Sequence, residues 1–284
     1  LGVGILGIGS SGPLIALSIM PIPTLIFWRN LGGALFTAPF ALKHSLDRKG
    51  VKWALAAGVV LALHFIGFFM SMRMTSVAAG TALVALQPIF AAFFVKISGG
   101  HIPSKAWLGM VVSFIGVLFI SGIDLSLDRR SFLGDIAAII SAALAALYVM
   151  WGSKAQQTLE TTSYTSICYG MCALTSLPIA IIGGYEILHF AAKEWWVLLA
   201  LIGGAQILGH SMFNSALKRV SPAVVSLIVF FEVPVAAIGA KIFNIGNQPS
   251  GLIVPGIVLI LVGCAMVVLR TRPDKTAVAA AVNE

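Results

Sequence analysis

The chain has 284 residues, of which 59% are hydrophobic and only 10% are charged, and its formal net charge is +8. A soluble domain of this length carries about 25% charged residues, so the composition excludes a water-soluble globule and indicates an integral membrane protein. The three cysteines all lie in apolar runs and show neither a disulfide nor a zinc spacing, so we expect no metal and no cofactor.

Apolar runs separated by short polar breaks fill the sequence almost from end to end. Crossing a bilayer takes roughly 20 apolar residues per helix. In chain order we predict membrane helices over residues 3–20, 23–42, 53–72, 76–95, 106–122, 133–152, 164–183, 195–217, 222–243 and 251–269. The runs are continuous rather than alternating, which argues against transmembrane strands. The sequence therefore predicts an all-α membrane protein with ten transmembrane helices.

Lysine and arginine are divided unevenly between the predicted loops. Twelve lie on one side, and five lie on the other: Arg73, Arg129, Arg130, Lys193 and Lys241. Because positive residues concentrate in cytoplasmic loops, both termini are predicted to be cytoplasmic, and the net charge reflects these loops rather than a nucleic-acid partner. The first 20 residues show neither a basic leader nor a cleavage site, so we interpret them as a mature helix rather than a signal peptide.

The two halves of the chain repeat each other at a shift of 146 residues. "RMTSVAAGTALVALQPIFAA" (73–92) then aligns with "RVSPAVVSLIVFFEVPVAAI" (219–238), and His64 aligns with His210. We predict one repeat over 1–127, a second over 128–271 and a solvated cytoplasmic tail over 272–284. Each repeat contains five helices, an odd number, so the repeats must be inverted. Inverted repeats are typical of secondary transporters, whose substrate site lies near the membrane midplane.

Three segments resemble the EamA repeats of the drug/metabolite transporter superfamily: "PIPTLIFWRNLGGALF", "TSVAAGTALVALQPIFAAFFV" and "VSPAVVSLIVFFEVPVAAIGA". The resemblance covers essentially the whole chain. It implies ten helices, a central cavity between the halves, and transport of a small organic metabolite, often by amino-acid export. Such repeats often carry a glutamate just after the fourth and ninth helices, where this chain has His101 and Asn247.

Glu232 is the one acidic residue well inside a predicted span. An ionisable group at that depth costs about 2.5–3.5 kcal/mol on insertion scales, and low-dielectric surroundings disfavour the charged form of a carboxyl group. The position predicts either a site for a substrate amine or a proton, or a structural acid paired with a base on another helix.

Polar residues recur on one face of the eighth predicted span. Gln206, His210 and Asn214 are spaced by four residues, so they share one side of a helix. They are predicted to face the protein interior, either to bind substrate or to hydrogen-bond between helices. His64 on the third span is a further candidate of the same kind.

Proline residues interrupt three of the predicted helices. Pro88 and Pro234 occupy equivalent positions in the two repeats, and each removes a backbone donor from the carbonyl four residues earlier. Such carbonyls, together with Gln87 beside Pro88, are available to a substrate or ion, although simple bending is the alternative interpretation. Pro13 in "GSSGP" (9–13) is predicted to weaken the first helix and to act as a gate.

Two further side chains are predicted to reach the cavity. Arg29 lies near the end of the second span, where it could attract an anionic group or extend to the lipid–water interface beside Trp28. Tyr148 shares a face of the sixth span with Ser141 and Trp151, and such aromatic side chains can hold a cation. Trp151 is equally compatible with an interfacial position.

No catalytic motif accompanies these residues. "GVGILG" (2–7) fits G-x-G-x-x-G, but a dinucleotide site needs a preceding strand, so we interpret these glycines as close-packing positions. We therefore predict a secondary transporter of the bacterial inner membrane, acting on a small molecule by alternating access with proton coupling as a hypothesis, as a monomer or homodimer. The alternatives are a multidrug exporter for lipophilic cations, a nucleotide-sugar or phosphometabolite carrier, and a membrane enzyme.

Overall fold

The computed structural model describes residues 2–99, 101–121, 129–220, 225, 227–245 and 252–268. Every regular element within these ranges is helical. The elements in chain order are α1 (Gly2–Gly9), α2 (Ser11–Leu17), α3 (Ile22–Ala41), α4 (Arg48–Met74), α5 (Val77–Val84), α6 (Gln87–Ile97), α7 (Ser104–Ser121), α8 (Arg129–Ala155), α9 (Thr161–Ile182), α10 (Ala192–Ala200), a π-helix (Leu201–Ser211), α11 (Met212–Ala216), a 3₁₀-helix (Ile228–Phe231), α12 (Glu232–Ile242) and α13 (Ile253–Val268).

Five helical segments of the described chain are long and apolar enough to cross a membrane. They are Arg48–Met74, Val77–Ile97, Arg129–Ala155, Thr161–Ile182 and Ala192–Ala216, and shorter apolar helices cover Gly2–Leu17, Ser104–Phe119 and Val254–Val267. The expectation of an all-α membrane protein is thus met. The start of the ninth predicted span, Asn247 and the tail over 272–284 lie outside the described residues.

Some predicted helix ends are wrong because hydropathy does not detect capping. The third span was predicted to start at residue 53, but α4 begins at Arg48, where the Asp47 carboxylate accepts a hydrogen bond from the Gly50 amide at 2.8 Å. A side chain that satisfies a free amide in the first turn fixes the start of a helix. The polar first turn of α4 therefore extends beyond the apolar run.

Glycines bring the helices into close antiparallel contact. A Cβ atom on Gly109 of α7 would lie 2.6 Å from the Gly263 carbonyl oxygen of α13, and one on Gly116 would lie 2.5 Å from that of Gly256. As the residue number rises along α7 it falls along α13, so the two helices are antiparallel. Gly7 of α1 approaches Gly204 of the π-helix in the same way, at 2.6 Å, and Gly4 packs against Phe213, whereas a Cβ atom on Gly2 would meet nothing within 4 Å.

Contacts between helices occur in matching pairs. Replacing each helix of a contact by the equivalent helix of the other half gives a second contact that is also present. The contact of α4 with α8 corresponds to that of the π-helix with α1, and the contact of α4 with α9 corresponds to that of the π-helix with α3. Three contacts join a helix to its own equivalent in the other half: α3 with α9, α5 with α12, and α7 with α13. The arrangement of neighbours therefore has an approximate twofold character.

Candidate functional site

One buried cavity collects most of the predicted site residues. His64, Gln87, Tyr148, His210, Asn214 and Glu232 all line it. These residues come from both halves of the chain, and aromatic and aliphatic side chains such as Phe65, Phe68 and Phe213 complete the wall. The space open to the centres of water molecules is about 40 Å³, enough for roughly three waters. In this conformation the cavity is narrow, so side chains must move before a metabolite can enter.

The prolines lie where the helix type changes. Residues 85 and 86 form a turn between α5 and α6, and a 3₁₀-helix runs directly into α12. Pro88 is the second residue of α6 and Pro234 the third of α12, positions in the first turn at which the missing amide costs little. The roles predicted for the two prolines, in binding or in bending, stay predictions.

Glu232 lies where the 3₁₀-helix passes directly into α12. It is the first residue of α12 and is only 5% exposed. Its backbone amide donates to the Val229 carbonyl oxygen, so the chain stays helical through this position. The carboxyl group lies at the cavity wall.

Arg29 is fully buried, at 0% exposure, and does not reach an interface. Its Nε donates to Gln206 Oε1 at 2.7 Å and its Nη1 to Ser11 Oγ at 3.3 Å, and its guanidinium lies 4.3 Å from the centre of the Phe65 ring. Among the described residues, Nη2 has no hydrogen-bond partner. Because Ser11 and Phe65 also line the cavity, the guanidinium lies directly behind its wall. The alternative of an interfacial arginine is wrong.

Gln206 faces Arg29. Its Nε2 donates to Asn30 Oδ1 at 2.9 Å, which orients the amide oxygen toward the guanidinium. Gln206, His210 and Asn214 are all buried, as predicted, but they belong to a π-helix that continues into α11. Such π-turns occur frequently at functional sites. The sequence analysis missed both the π-helix and Asn30.

A hydrogen-bonded cluster fixes the aromatic side of the cavity. The Tyr148 hydroxyl lies 3.0 Å from Asn214 Oδ1 and 2.7 Å from Asn214 Nδ2. Asn214 Nδ2 also donates to the Tyr169 hydroxyl at 3.4 Å, which in turn lies 3.1 Å from Ser211 Oγ. Tyr169 and Ser211 were not predicted, because nothing in their own segments shows that α9 faces α11.

The two histidines have different neighbours. His64 Nδ1 lies 2.8 Å from Ser141 Oγ and 3.0 Å from the Ser141 carbonyl oxygen, and its ring stacks on Phe68. The His210 ring instead meets the Phe65 ring edge-on at 5.3 Å. His64 is therefore anchored to α8, while His210 is held by aromatic contacts.

The first helix is interrupted where the glycines and Pro13 predicted a weak point. A turn at Ser10 separates α1 from α2, and Pro13 is the third residue of α2. The break places Ser11 at the cavity wall and within reach of Arg29. Trp151, predicted on the same face as Tyr148, packs against Trp53 at 5.8 Å between ring centres.

These features define a polytopic membrane protein built around a buried polar cavity. The chain belongs to the EamA-like transporter family, whose sequence model matches residues 3–122 and again residues 132–269. The family resemblance seen in the sequence is thereby confirmed.

Similar proteins carry related names. The chain is 26% identical over 268 residues to the uncharacterized transporter YxxF of Bacillus subtilis (strain 168), covering 89% of this chain and 83% of that protein. It is 24% identical over 230 residues to the uncharacterized transporter YyaM of the same organism, with coverages of 78% and 74%. A solved crystal structure superposes with a TM-score of 0.74 at 16% identity, covering 96% of this chain and 98% of that one. Family and fold together support a membrane transporter.

Proposed function

We propose that the protein is a secondary transporter with ten membrane spans in two inverted halves, which moves a small organic metabolite across the cytoplasmic membrane by alternating access. The antiparallel contact of α7 with α13 supports the inversion, because these are the fifth helices of the two halves. The two separate matches to the family support the duplication. A twofold axis in the membrane plane relates halves of this kind.

The proposed orientation places both termini in the cytoplasm. Contacts group the polar side chains at the two ends of α4, which has 27 residues and is about 40 Å long. Arg73 and Glu194 meet residues 18–20 at one end, where Arg130 also donates to the Arg73 carbonyl oxygen, and we name this the Arg73 end. Asp47, Thr158, Glu160 and Lys218 meet at the other end, the Lys218 end. This grouping agrees with the sides assigned from the loop charges, with the Arg73 end outside.

The observation that carries the proposal is the location of Glu232 in a cavity that both halves build. The Glu232 carboxylate can bind a substrate amine. Arg29 Nη2, which has no partner within the described part of the chain, lies behind the Ser11 wall and offers a donor to a substrate carboxylate. A small zwitterion such as an amino acid has both groups. The narrow cavity favours a solute of that size, and we propose export as the direction of net flux.

Proton coupling is part of the proposal and is tested separately. Glu232, His64 and His210 line the same cavity, and each can bind a proton. In proteoliposomes with an imposed pH gradient, Glu232→Gln should abolish the dependence of flux on that gradient. If the dependence is unchanged in the variant, Glu232 does not couple protons to transport.

The aromatic wall favours one other function, the export of lipophilic cations. Four aromatic side chains line the same cavity as Glu232, the one acidic residue among its described lining residues: Phe65, Phe68, Phe213 and Tyr148. Aromatic rings attract organic cations. Competition distinguishes the two functions. A quaternary ammonium compound should inhibit a multidrug exporter and leave the transport of a small zwitterion unchanged.

The substrate can be found by a thermal-shift screen of metabolites on the purified protein. A ligand that binds the folded state stabilises it by mass action, by about 2.7 kcal/mol at a concentration of 100 times its Kd. This stabilisation raises the apparent melting temperature. The shift should be lost in Glu232→Gln and kept in Glu186→Gln, which removes an acid from a loop. A ligand whose shift is the same in both variants does not bind at Glu232.

A further inference from the structure

Two charged side chains hold the connection between α2 and α3 at the Arg73 end. Glu194 Oε2 accepts hydrogen bonds from Ser18 Oγ at 2.7 Å and from the Ile19 amide at 2.9 Å. Arg73 Nη2 donates to the carbonyl oxygens of Ser18 at 3.1 Å and Met20 at 2.6 Å. The acid and the base thus both bind the segment 18–20, and both contact Ser18. We name this set of contacts the outer clamp.

The Glu194 side of the outer clamp is shielded from water, whereas Ile19 is 79% exposed and Arg73 is half-buried. Glu194 is 3% exposed, Ser18 is 4% exposed and Met20 is fully buried. Hydrogen bonds to charged groups are stronger than those between neutral groups, and removing one partner of a buried charge leaves the other without compensation. Separation of these residues is therefore costly while they remain buried.

A matching set of contacts exists at the Lys218 end. Asp47 Oδ2 accepts a hydrogen bond from Thr158 Oγ1 at 2.9 Å, and Lys218 forms an ion pair with Glu160. Thr158 and Glu160 belong to the connection between α8 and α9. The lysine and glutamate side chains are 30% and 54% exposed, so solvent screens this pair. We name this set the inner clamp.

The two clamps are equivalent under exchange of the halves. In each clamp, a basic residue at the end of the third helix of one half binds the connection between the first two helices of the same half. This base is Arg73 in the outer clamp and Lys218 in the inner clamp. An acidic residue at the start of the third helix of the opposite half binds the same connection. This acid is Glu194 in the outer clamp and Asp47 in the inner clamp. Each clamp therefore joins one half of the protein to the other at one membrane face.

The cavity wall extends toward both clamps, and Phe68 lines it from the half of α4 nearer to Arg73. Leu217, which precedes Lys218 in the chain, lines the cavity, as do Val149 and Phe213 from the parts of α8 and α11 that approach the same end. The structure thus combines a clamp whose acid is buried at one end with a solvent-exposed clamp at the other, and the cavity extends toward both.

We propose that the outer clamp holds the Arg73 end closed and that the inner clamp holds the Lys218 end closed during the transport cycle. Their relative strength then determines the membrane face to which the cavity opens at rest. This inference rests on the proposed alternating access. Because the bond between Glu194 and Ser18 is buried and the ion pair of the inner clamp is solvent-exposed, the resting protein keeps the Arg73 end closed. Weakening the two clamps should then shift the protein in opposite directions.

The test measures access to the cavity from each side of the membrane. A Val84→Cys reporter on the cavity wall is introduced after Cys168, Cys172 and Cys264 are replaced by alanine. A membrane-impermeant maleimide is applied to right-side-out and inside-out vesicles. Glu194→Gln should raise the labelling rate from the Arg73 side by up to about tenfold, because the neutral amide oxygen can still accept the two hydrogen bonds but lacks the charge that makes them about twice as strong.

The inner clamp supplies the matched comparison. Lys218→Gln should lower labelling from the Arg73 side and raise it from the Lys218 side by up to about fivefold, since an exposed pair contributes little. Ser18→Ala is a milder outer variant, used if Glu194→Gln does not fold, and it should act in the same direction as Glu194→Gln. Glu186→Gln, outside both clamps, should label like the parent.

The outcomes separate this inference from the function on which it rests. Opposite shifts for the outer and inner variants support the clamps. Labelling that is unchanged, or that shifts in the same direction for both, overturns the clamps and leaves alternating access standing. A reporter that is never labelled from either side in any variant overturns alternating access itself, and the clamps with it.

Discussion

The bond between Gln206 and Arg29 gives the most quantitative prediction, because it concerns a fully buried charge. Gln206→Leu would leave Arg29 Nε and Asn30 Oδ1 without their observed partners at 2.7 Å and 2.9 Å. A buried group left unsatisfied costs about 1–3 kcal/mol, and more if it is charged. The two groups together should therefore lower the free energy of unfolding by roughly 2–6 kcal/mol.

The corresponding thermal shift is large enough to measure in detergent. At about 2–4 °C per kcal/mol for chains of 150–250 residues, Gln206→Leu should lower the apparent melting temperature by roughly 5–20 °C. The control is Gln157→Leu, the same substitution at an exposed position, which should change it little. A melting temperature for Gln206→Leu within 1–2 °C of the wild type, about the effect of a surface substitution, would refute the view that Gln206 holds the guanidinium.

A second substitution at this position separates stability from transport. Gln206→Glu keeps an acceptor for Arg29 Nε, so it should retain more stability than Gln206→Leu. It also neutralises the cation behind the cavity wall, so the KM for a zwitterionic substrate should rise by about tenfold, the equivalent of 1.4 kcal/mol. Unchanged transport by a folded Gln206→Glu protein would show that Arg29 does not attract the substrate.

Other predictions concern packing, the aromatic cluster and the inner clamp. Gly116→Ala should destabilise the protein by about 1–3 kcal/mol in thermal unfolding because the added Cβ meets the Gly256 carbonyl oxygen, whereas Gly170→Ala, which meets no atom within 4 Å, should be neutral or stabilising. Tyr169→Phe should cost about 1 kcal/mol and raise the substrate KM, and an unchanged KM would exclude the cluster from the site. The ion pair with Lys218 holds the pKa of Glu160 below its ordinary value of 4.5, so its stabilisation is present above that pH and is lost as the pH falls below it. Melting temperatures followed between pH 7 and pH 3 should show a smaller acid-induced decrease in Glu160→Gln than in the wild type, and equal decreases would contradict this role.

Hydropathy predicted the helices well because the membrane imposes a simple rule on each segment separately. An apolar run of sufficient length must form a helix, since no water is available to its backbone. The rule does not place the ends, as the capped start of α4 by Asp47 shows. It also does not detect the turn at residues 85 and 86 before Pro88, the 3₁₀-helix before Pro234, or the π-helix that contains Gln206.

The site was predictable in part for the same reason. A polar residue inside an apolar run must face the interior, so His64, His210, Asn214 and Glu232 could be singled out one at a time, and all four line one cavity. The partners of Arg29 could not be found in this way. Ser11 and Gln206 meet it, and Asn30 orients Gln206, only because three separate helices converge, and no local spacing encodes that convergence.

Counterflow in proteoliposomes tests the central claim most directly. Vesicles loaded with an unlabelled amino acid selected by the thermal-shift screen should accumulate the labelled compound when they contain the wild-type protein or Glu186→Gln. They should fail to do so when they contain folded Glu232→Gln. Exchange by Glu232→Gln at the wild-type rate would contradict the account, because the substrate would then cross without the one carboxylate that the described cavity wall presents to it.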